Sequence, residues 1–135
     1  MRLWHEALIP HLSNKRLSGQ HRECCALRGK GWGRKHKTVD YVFKYSPRRL
    51  YDYHMKVIEE MKRRGFKVDD RWLDVTHRGE HCQPYTSRVQ IYSEPEEIRC
   101  KTNPDGYVYP EHDNAYLEEC VNLLKQKGDK SYVRD

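Results

Sequence analysis

The run from Ser46 to Phe66 constrains the fold most, because it spells a helix together with both of its ends. Ser46 is a fitting N-cap, and Pro47 takes the first helical position, where its missing N–H costs nothing. Leu50, His54, Val57, Ile58 and Met61 fall on one face. Lys62, Arg63 and Arg64 complement the dipole at the C-terminus; Gly65 is the expected terminator, with Phe66 folding back over the last turn. A helix with one apolar stripe needs partners for it. Two further segments supply them. Asn14 to Arg28 follows a Ser13 cap, with Leu17, Cys24 and Leu27 at helical spacing and Leu12 placed to staple against Leu17. Gly19 reads as a point of close backbone approach, and Gly29, Gly31 and Gly33 break the pattern. Asn114 to Lys127 follows Asp113 and stops at Gly128, with Tyr116, Leu117, Cys120, Val121 and Leu124 as its stripe.

The expected fold is therefore all-α: a compact three-helix body within one domain, residues 1–135. Between the second and third helices, Lys67 to Glu111 reads as irregular, with Pro84, Pro95, Pro104 and Pro110 inside it. Arg88 to Tyr92 alternates and reads as a short extended piece. The tail from Asp129 to Asp135 reads as frayed or draped over the surface.

A mean hydropathy of −1.09 leaves room only for a small core, reinforced by 10 Tyr, 3 Trp and 2 Phe. No apolar run reaches the roughly 18 residues of a membrane span, and the N-terminus lacks an apolar signal core. Both point to the cytoplasm. The five cysteines, an odd number, read as reduced thiols. The +6 charge is lopsided. Residues 1–64 carry 16 Lys and Arg against 6 Asp and Glu, a net of +10, while residues 65–135 carry 10 against 14, a net of −4. A phosphate-rich partner fits that positive half; a merely basic, soluble surface fits it too.

Two constellations could carry chemistry. The stretch Arg28, Lys30, Arg34, Lys35, His36 and Lys37 surrounds Trp32 and three glycines. Cations pair with phosphates, an aromatic can stack on an unpaired base, and glycines permit close approach to a sugar-phosphate chain. Trp32 fits the core equally well. Arg22 and Glu23 sit mid-helix near Arg28, an arrangement that can hold a phosphodiester and move a proton, or simply form a solvated face with weak ion pairs. Metal-like spacings also occur, His21 with Cys24 or Cys25, and His77 with His81 and Cys82. Neither contains a Cys-x-x-Cys pair, so no metal site is expected, buried thiols are the commoner outcome, and His54 reads as a satisfied core histidine.

Taken in order, these motifs resemble the pyrimidine-dimer DNA glycosylases of the phage endonuclease V type, in particular a bacterial branch. Arg22-Glu23 matches the family's Arg-Glu on the first long helix, and Arg34-Lys35-His36 its basic Arg-Lys-His. Arg63-Arg64-Gly65-Phe66 matches the end of its second helix, Tyr109-Pro110-Glu111-His112 the segment before its third, and Met1-Arg2-Leu3 its start. The resemblance touches both ends of the chain and all three helices. It implies that the N-terminal segment is threaded toward Glu23, and that the function is DNA repair by a glycosylase with abasic-site lyase activity. The substrate implied is damaged double-stranded DNA carrying pyrimidine dimers, met by a nucleoid-associated monomer without metal or organic cofactor.

In that family the N-terminal α-amine attacks the sugar C1′ and forms a Schiff base, after which β-elimination cuts the strand. An α-amine suits this role, because its pKa of about 7.7–8.0, against about 10.4 for lysine, leaves roughly a tenth of it neutral at pH 7. The resemblance places the nucleophile at the backbone nitrogen of Met1 and the catalytic carboxylate at Glu23. Viral members lose their initiator Met and use a small residue. Here Arg2 follows, so either a retained Met1 supplies the amine or the nucleophile is misplaced. Arg2, Arg16, Arg22, Arg28, Lys30, Arg34, Lys35 and His36 are the implied DNA contacts, Arg16 standing where the family has a histidine. The lengthened Lys67–Glu111 segment and the loss of the aromatic-rich tail, where only Tyr132 remains, depart from the viral pattern. The alternative is a non-catalytic nucleic-acid-binding protein that uses the basic half alone; a metal-dependent nuclease built on the histidines is a third reading.

Overall fold

The computed structural model describes residues 2–29, 39–99 and 101–128. An extended N-terminal stretch leads through a 3-10 turn, Glu6–His11, into α1, Asn14–Arg28. A second 3-10 turn, Asp40–Lys44, precedes α2, Pro47–Arg63, and a third spans Asp70–Leu73. Two short helices follow, α3 (Arg88–Tyr92) and α4 (Glu96–Arg99), before α5 (Asn114–Gln126) closes the described chain. Among the described residues there is no strand, and no helix is long and apolar enough to cross a membrane. The architecture is all-α, with the N-terminal segment laid against the helices.

The ends of the three long helices follow their chemistry. The Ser13 hydroxyl accepts from the Arg16 N–H, and the Asp113 carboxylate accepts from the Tyr116 N–H. At the end of α2, Gly65 has φ +88°; its N–H donates to the Lys62 carbonyl, and the Phe66 N–H reaches back to the Met61 carbonyl. Ser46 departs from expectation. It occupies the cap position of α2 but makes no side-chain cap bond, and its backbone N–H donates instead to Glu94 Oε1 at 2.9 Å.

The core gathers Leu3, Leu8, Ile9 and Leu12 from the N-terminal segment, Leu17, Cys24 and Leu27 from α1, and Leu50, Tyr53, Val57 and Met61 from α2. Cys120 and Leu124 of α5 close it, with Tyr109 beneath. The start of the chain is thus a structural layer rather than a free arm. Arg64 fixes that layer to the end of α2: its guanidinium donates to the carbonyls of Pro10 and Leu12 and to Asn14 Oδ1 while pairing with Glu60 at 2.7 Å.

The stretch from 67 to 111 is less irregular than its composition suggests. Arg88–Tyr92 is helical, not extended, because Ser87 and Gln90 form a reciprocal capping box that satisfies the free N–H groups of its first turn. Arg49 secures the region to α2, pairing with Glu94 at 2.7 Å and donating to the carbonyl of Val108 at 3.0 Å. Gly19 does not serve close packing: a Cβ there would come no nearer than 3.8 Å, to an Arg22 side-chain atom. Lys30 to Thr38, with Gly31, Trp32, Gly33, Arg34, Lys35 and His36, lies outside the described residues, as do Met1, Cys100 and the tail from Asp129. The four described cysteines, Cys24, Cys25, Cys82 and Cys120, are free thiols.

Candidate active site

At 100° per residue, α1 sorts its side chains into distinct edges. Leu17, Gln20, Cys24 and Leu27 form the buried stripe. Glu23 stands at one border of it, with Arg16 two turns earlier on the same edge. His21, Cys25 and Arg28 stand at the other border, and Arg22 faces solvent.

Gln20 is the polar member of an apolar stripe, 1% exposed, and both ends of its amide are hydrogen-bonded. Its Oε1 accepts the Trp4 N–H at 2.7 Å. Its Nε2 donates to the Arg2 carbonyl at 3.1 Å and to Glu23 Oε2 at 3.0 Å. The Tyr53 hydroxyl, from α2, lies 2.9 Å from the same Oε1 and donates to the Trp4 carbonyl at 2.6 Å. Tyr116 of α5 donates to the Leu3 carbonyl. Residues 2–4 are therefore held by side chains from all three long helices, with their backbone against Glu23.

Burial raises the Glu23 carboxyl above its ordinary value; the amino-terminal charge, an Arg2 backbone hydrogen bond and Gln20 pull the other way. A half-buried carboxyl moved toward neutrality, yet hydrogen-bonded in its charged form, is suited to exchanging protons with a neighbouring reactant.

Arg2 and Arg16 flank this group. The Arg2 side chain pairs with Glu119 of α5 at 2.9 Å, and the Arg2 and Arg16 guanidiniums stand 5.8 and 6.0 Å from the Trp4 ring. Arg28 is elsewhere. It is 6% exposed and donates to the carbonyls of Trp72, Asp74 and His77 and to His54 Nδ1. These bonds correct the expectation of a phosphate contact there: Arg28 is an internal clamp between α1 and residues 72–77. Lys30, Arg34, Lys35, His36 and the Met1 amine fall outside the described residues.

A family model for pyrimidine dimer DNA glycosylases matches residues 1–74. The chain belongs to the pyrimidine dimer DNA glycosylase family. No match is found among curated proteins or among solved structures. In this glycosylase the matched stretch takes in the N-terminal layer, α1 and α2, and hence Arg2, Gln20, Glu23 and Tyr53. The side chains that close over it from α5, Tyr116 and Glu119, lie beyond the match.

Gln20, Tyr53 and Tyr116 escape a search for catalytic types because each acts by holding backbone. One signal for Gln20 is legible: an uncharged polar residue in the otherwise apolar row 17, 20, 24, 27, three positions before Glu23. Gln20→Leu keeps the volume but orphans the Trp4 N–H and the Arg2 carbonyl. Thermal unfolding should show a loss of about 2–4 kcal/mol, and glycosylase activity should fall by roughly 100-fold as the chain start loses register with Glu23. A variant with wild-type turnover would remove Gln20 from the site.

Arg28→Lys tests the clamp. A lysine cannot span three carbonyls and a ring nitrogen, so denaturant titration should show a loss of about 2–4 kcal/mol with DNA affinity unaltered.

Proposed function

We propose that the chain is a DNA repair glycosylase with abasic-site lyase activity, acting on damaged duplex DNA, with pyrimidine dimers as its substrate, through a Schiff base on its N-terminal amine. What carries this reading is the placement of the first residues against Glu23. Three covalent bonds separate the Arg2 amide nitrogen from the α-amine of Met1, so that amine is tethered within about 4 Å of the amide wherever residue 1 points. Gln20 joins the Arg2 carbonyl to the Glu23 carboxylate.

In the proposed reaction the neutral Met1 amine attacks C1′ of the damaged nucleotide, the C1′–N bond to the base breaks, and the base takes up the proton that the attacking nitrogen gives up. Glu23 in its acid form donates the proton that opens the sugar ring. The same group, now a carboxylate, takes a proton from C2′ of the iminium, and β-elimination expels the 3′ phosphate. One carboxyl can serve both steps because its pKa lies above that of an exposed glutamate. Damaged bases stack and pair poorly, which lowers the cost of extruding them into a site on the protein surface. Arg2, Arg16 and exposed Arg22, together with Lys30, Arg34, Lys35 and His36, are the proposed phosphate contacts. Arg28, spent on carbonyls, is not among them.

The deciding experiment incubates protein bearing a native N-terminus with an abasic-site duplex and borohydride, in chelator, and maps the adduct by mass spectrometry. A covalent complex on the Met1 amine is expected. Tight DNA binding without an adduct would replace this reading with that of a non-catalytic binding protein. Binding should also weaken steeply with salt, each phosphate contact contributing about 0.9 to the slope of log affinity against log salt.

A further inference from the structure

The border of α1 away from Glu23 carries groups for which the proposed reaction has no use. His21 and Cys25 lie one turn apart there, and His54, fully buried, reaches them from the middle of α2. His21 Nδ1 is 2.8 Å from His54 Nε2. Cys25 Sγ is 3.9 Å from His21 Nδ1 and 3.9 Å from His54 Nε2. One ligand atom from each residue fits within 4.8 Å of the other two, and no other described trio of such side chains converges in this way. Tetrahedral bonds of about 2.0–2.3 Å set their ligand atoms roughly 3.3–3.7 Å apart, so the two rings must part by about half an ångström and the sulfur close in by about 0.3 Å.

We propose that His21, Cys25 and His54 bind a single zinc-class divalent cation that staples α1 to α2. Two imidazoles and a thiolate select such an ion over magnesium or calcium, which take oxygen ligands. The i, i+4 pair on one helix fixes two ligands, the third comes across the helix interface, and the fourth position is left to water. Loading exchanges the S–H bond of Cys25 for a sulfur–metal bond and releases one proton. Arg28 limits the affinity. Its Nη1 lies 3.1 Å from His54 Nδ1 and donates to it, whereas a ring bound through Nε2 must carry its proton on Nδ1. That hydrogen bond is given up on loading, while the guanidinium keeps the carbonyls of Trp72, Asp74 and His77. The site is structural, and it stands independently of the reaction proposed for Glu23.

The test uses the full chain, reduced and stripped with chelator, then titrated with cobalt(II) as a spectroscopic substitute for zinc. One equivalent should produce a thiolate-to-cobalt charge-transfer band that zinc abolishes. At free zinc 100-fold above Kd the Tm should rise by about 10 °C. Cys25→Ser and His21→Gln, both at half-buried positions, should each remove the band and the shift while leaving the helical circular dichroism intact. Absence of a saturable band overturns the proposal. So does a band that survives Cys25→Ser, which would place the thiolate at another cysteine.

Discussion

Glu23→Gln is expected to reduce cleavage of abasic DNA by about 100- to 10,000-fold, with no loss of DNA affinity and no loss of stability. The fold should tolerate the change because an amide oxygen in place of Oε2 can still accept the Gln20 Nε2–H, 3.0 Å away in the native site. Stability should be equal or higher. Burial raises the carboxyl above its ordinary value, so the ionised side chain is held at neutral pH at a cost that an amide does not incur. The native enzyme should also lose activity on the acid side at a pH above the ordinary glutamate range, in the direction of that shift. Gel-based cleavage assays across pH, with circular-dichroism melts of both proteins, measure all of this. A Glu23→Gln protein that still forms and resolves the proposed covalent intermediate would remove Glu23 from the reaction, and a protein that melts early would show the carboxylate to be structural.

How far the sequence alone reaches can be read from particular residues. The ends of α2 and α5 are legible because caps and stops are local: Pro47 and Gly65, and Asp113, act within one turn of themselves. Arg88–Tyr92 misleads because five residues with apolar side chains at 89 and 91 satisfy a two-residue period and a helical turn alike. The Ser87…Gln90 spacing that decides for helix is present in the sequence, but it is a quieter signal than the alternation.

Arg28 reads with its neighbours as part of one basic run. Helical rotation turns it instead toward carbonyls 44 to 49 positions away, pairings that no local pattern announces. The same limit hides the partners of the candidate sites. Glu23 and Arg22 are visible as a motif, but Gln20 takes on meaning only once Trp4 and Tyr53 are seen to converge on it, and His54 joins His21 across 33 positions. Local chemistry writes the helices; the pairing of their polar edges is a property of the packing.

The second large effect is acid lability well above the range in which carboxylates protonate. His112 is 0% exposed, and its Nδ1 accepts the Glu6 backbone N–H at 2.9 Å, so the ring proton sits on Nε2 and is directed at the Tyr41 hydroxyl 2.8 Å away. Protonation would put a second donor on Nδ1, facing the Glu6 N–H. Burial, and then the charge of His5 stacked at 5.3 Å, lower the His112 pKa to about 3. A histidine with a depressed folded pKa contributes its full stability above the unfolded value of about 6.5, and loses about 1.4 kcal/mol per pH unit below it, levelling off near the folded value. His5, His21 and His54 are also shifted downward, burial being the largest cause in each, so they act in the same sense. Taking the protein from pH 7 to pH 5 should therefore lower its Tm by at least about 6–10 °C through His112 alone, before Glu60 and Glu94, held below the ordinary glutamate range, begin to protonate. His112→Gln, which keeps an acceptor for the Glu6 N–H, should start from a lower Tm at pH 7 because it loses the ring packing against Tyr53, Tyr109 and Tyr116. It should then fall less steeply between pH 6.5 and 5. If the slope is the same in both proteins, the acid sensitivity belongs to the other histidines, and the neutral ring of His112 is not what ties the N-terminal layer to the chain before α5.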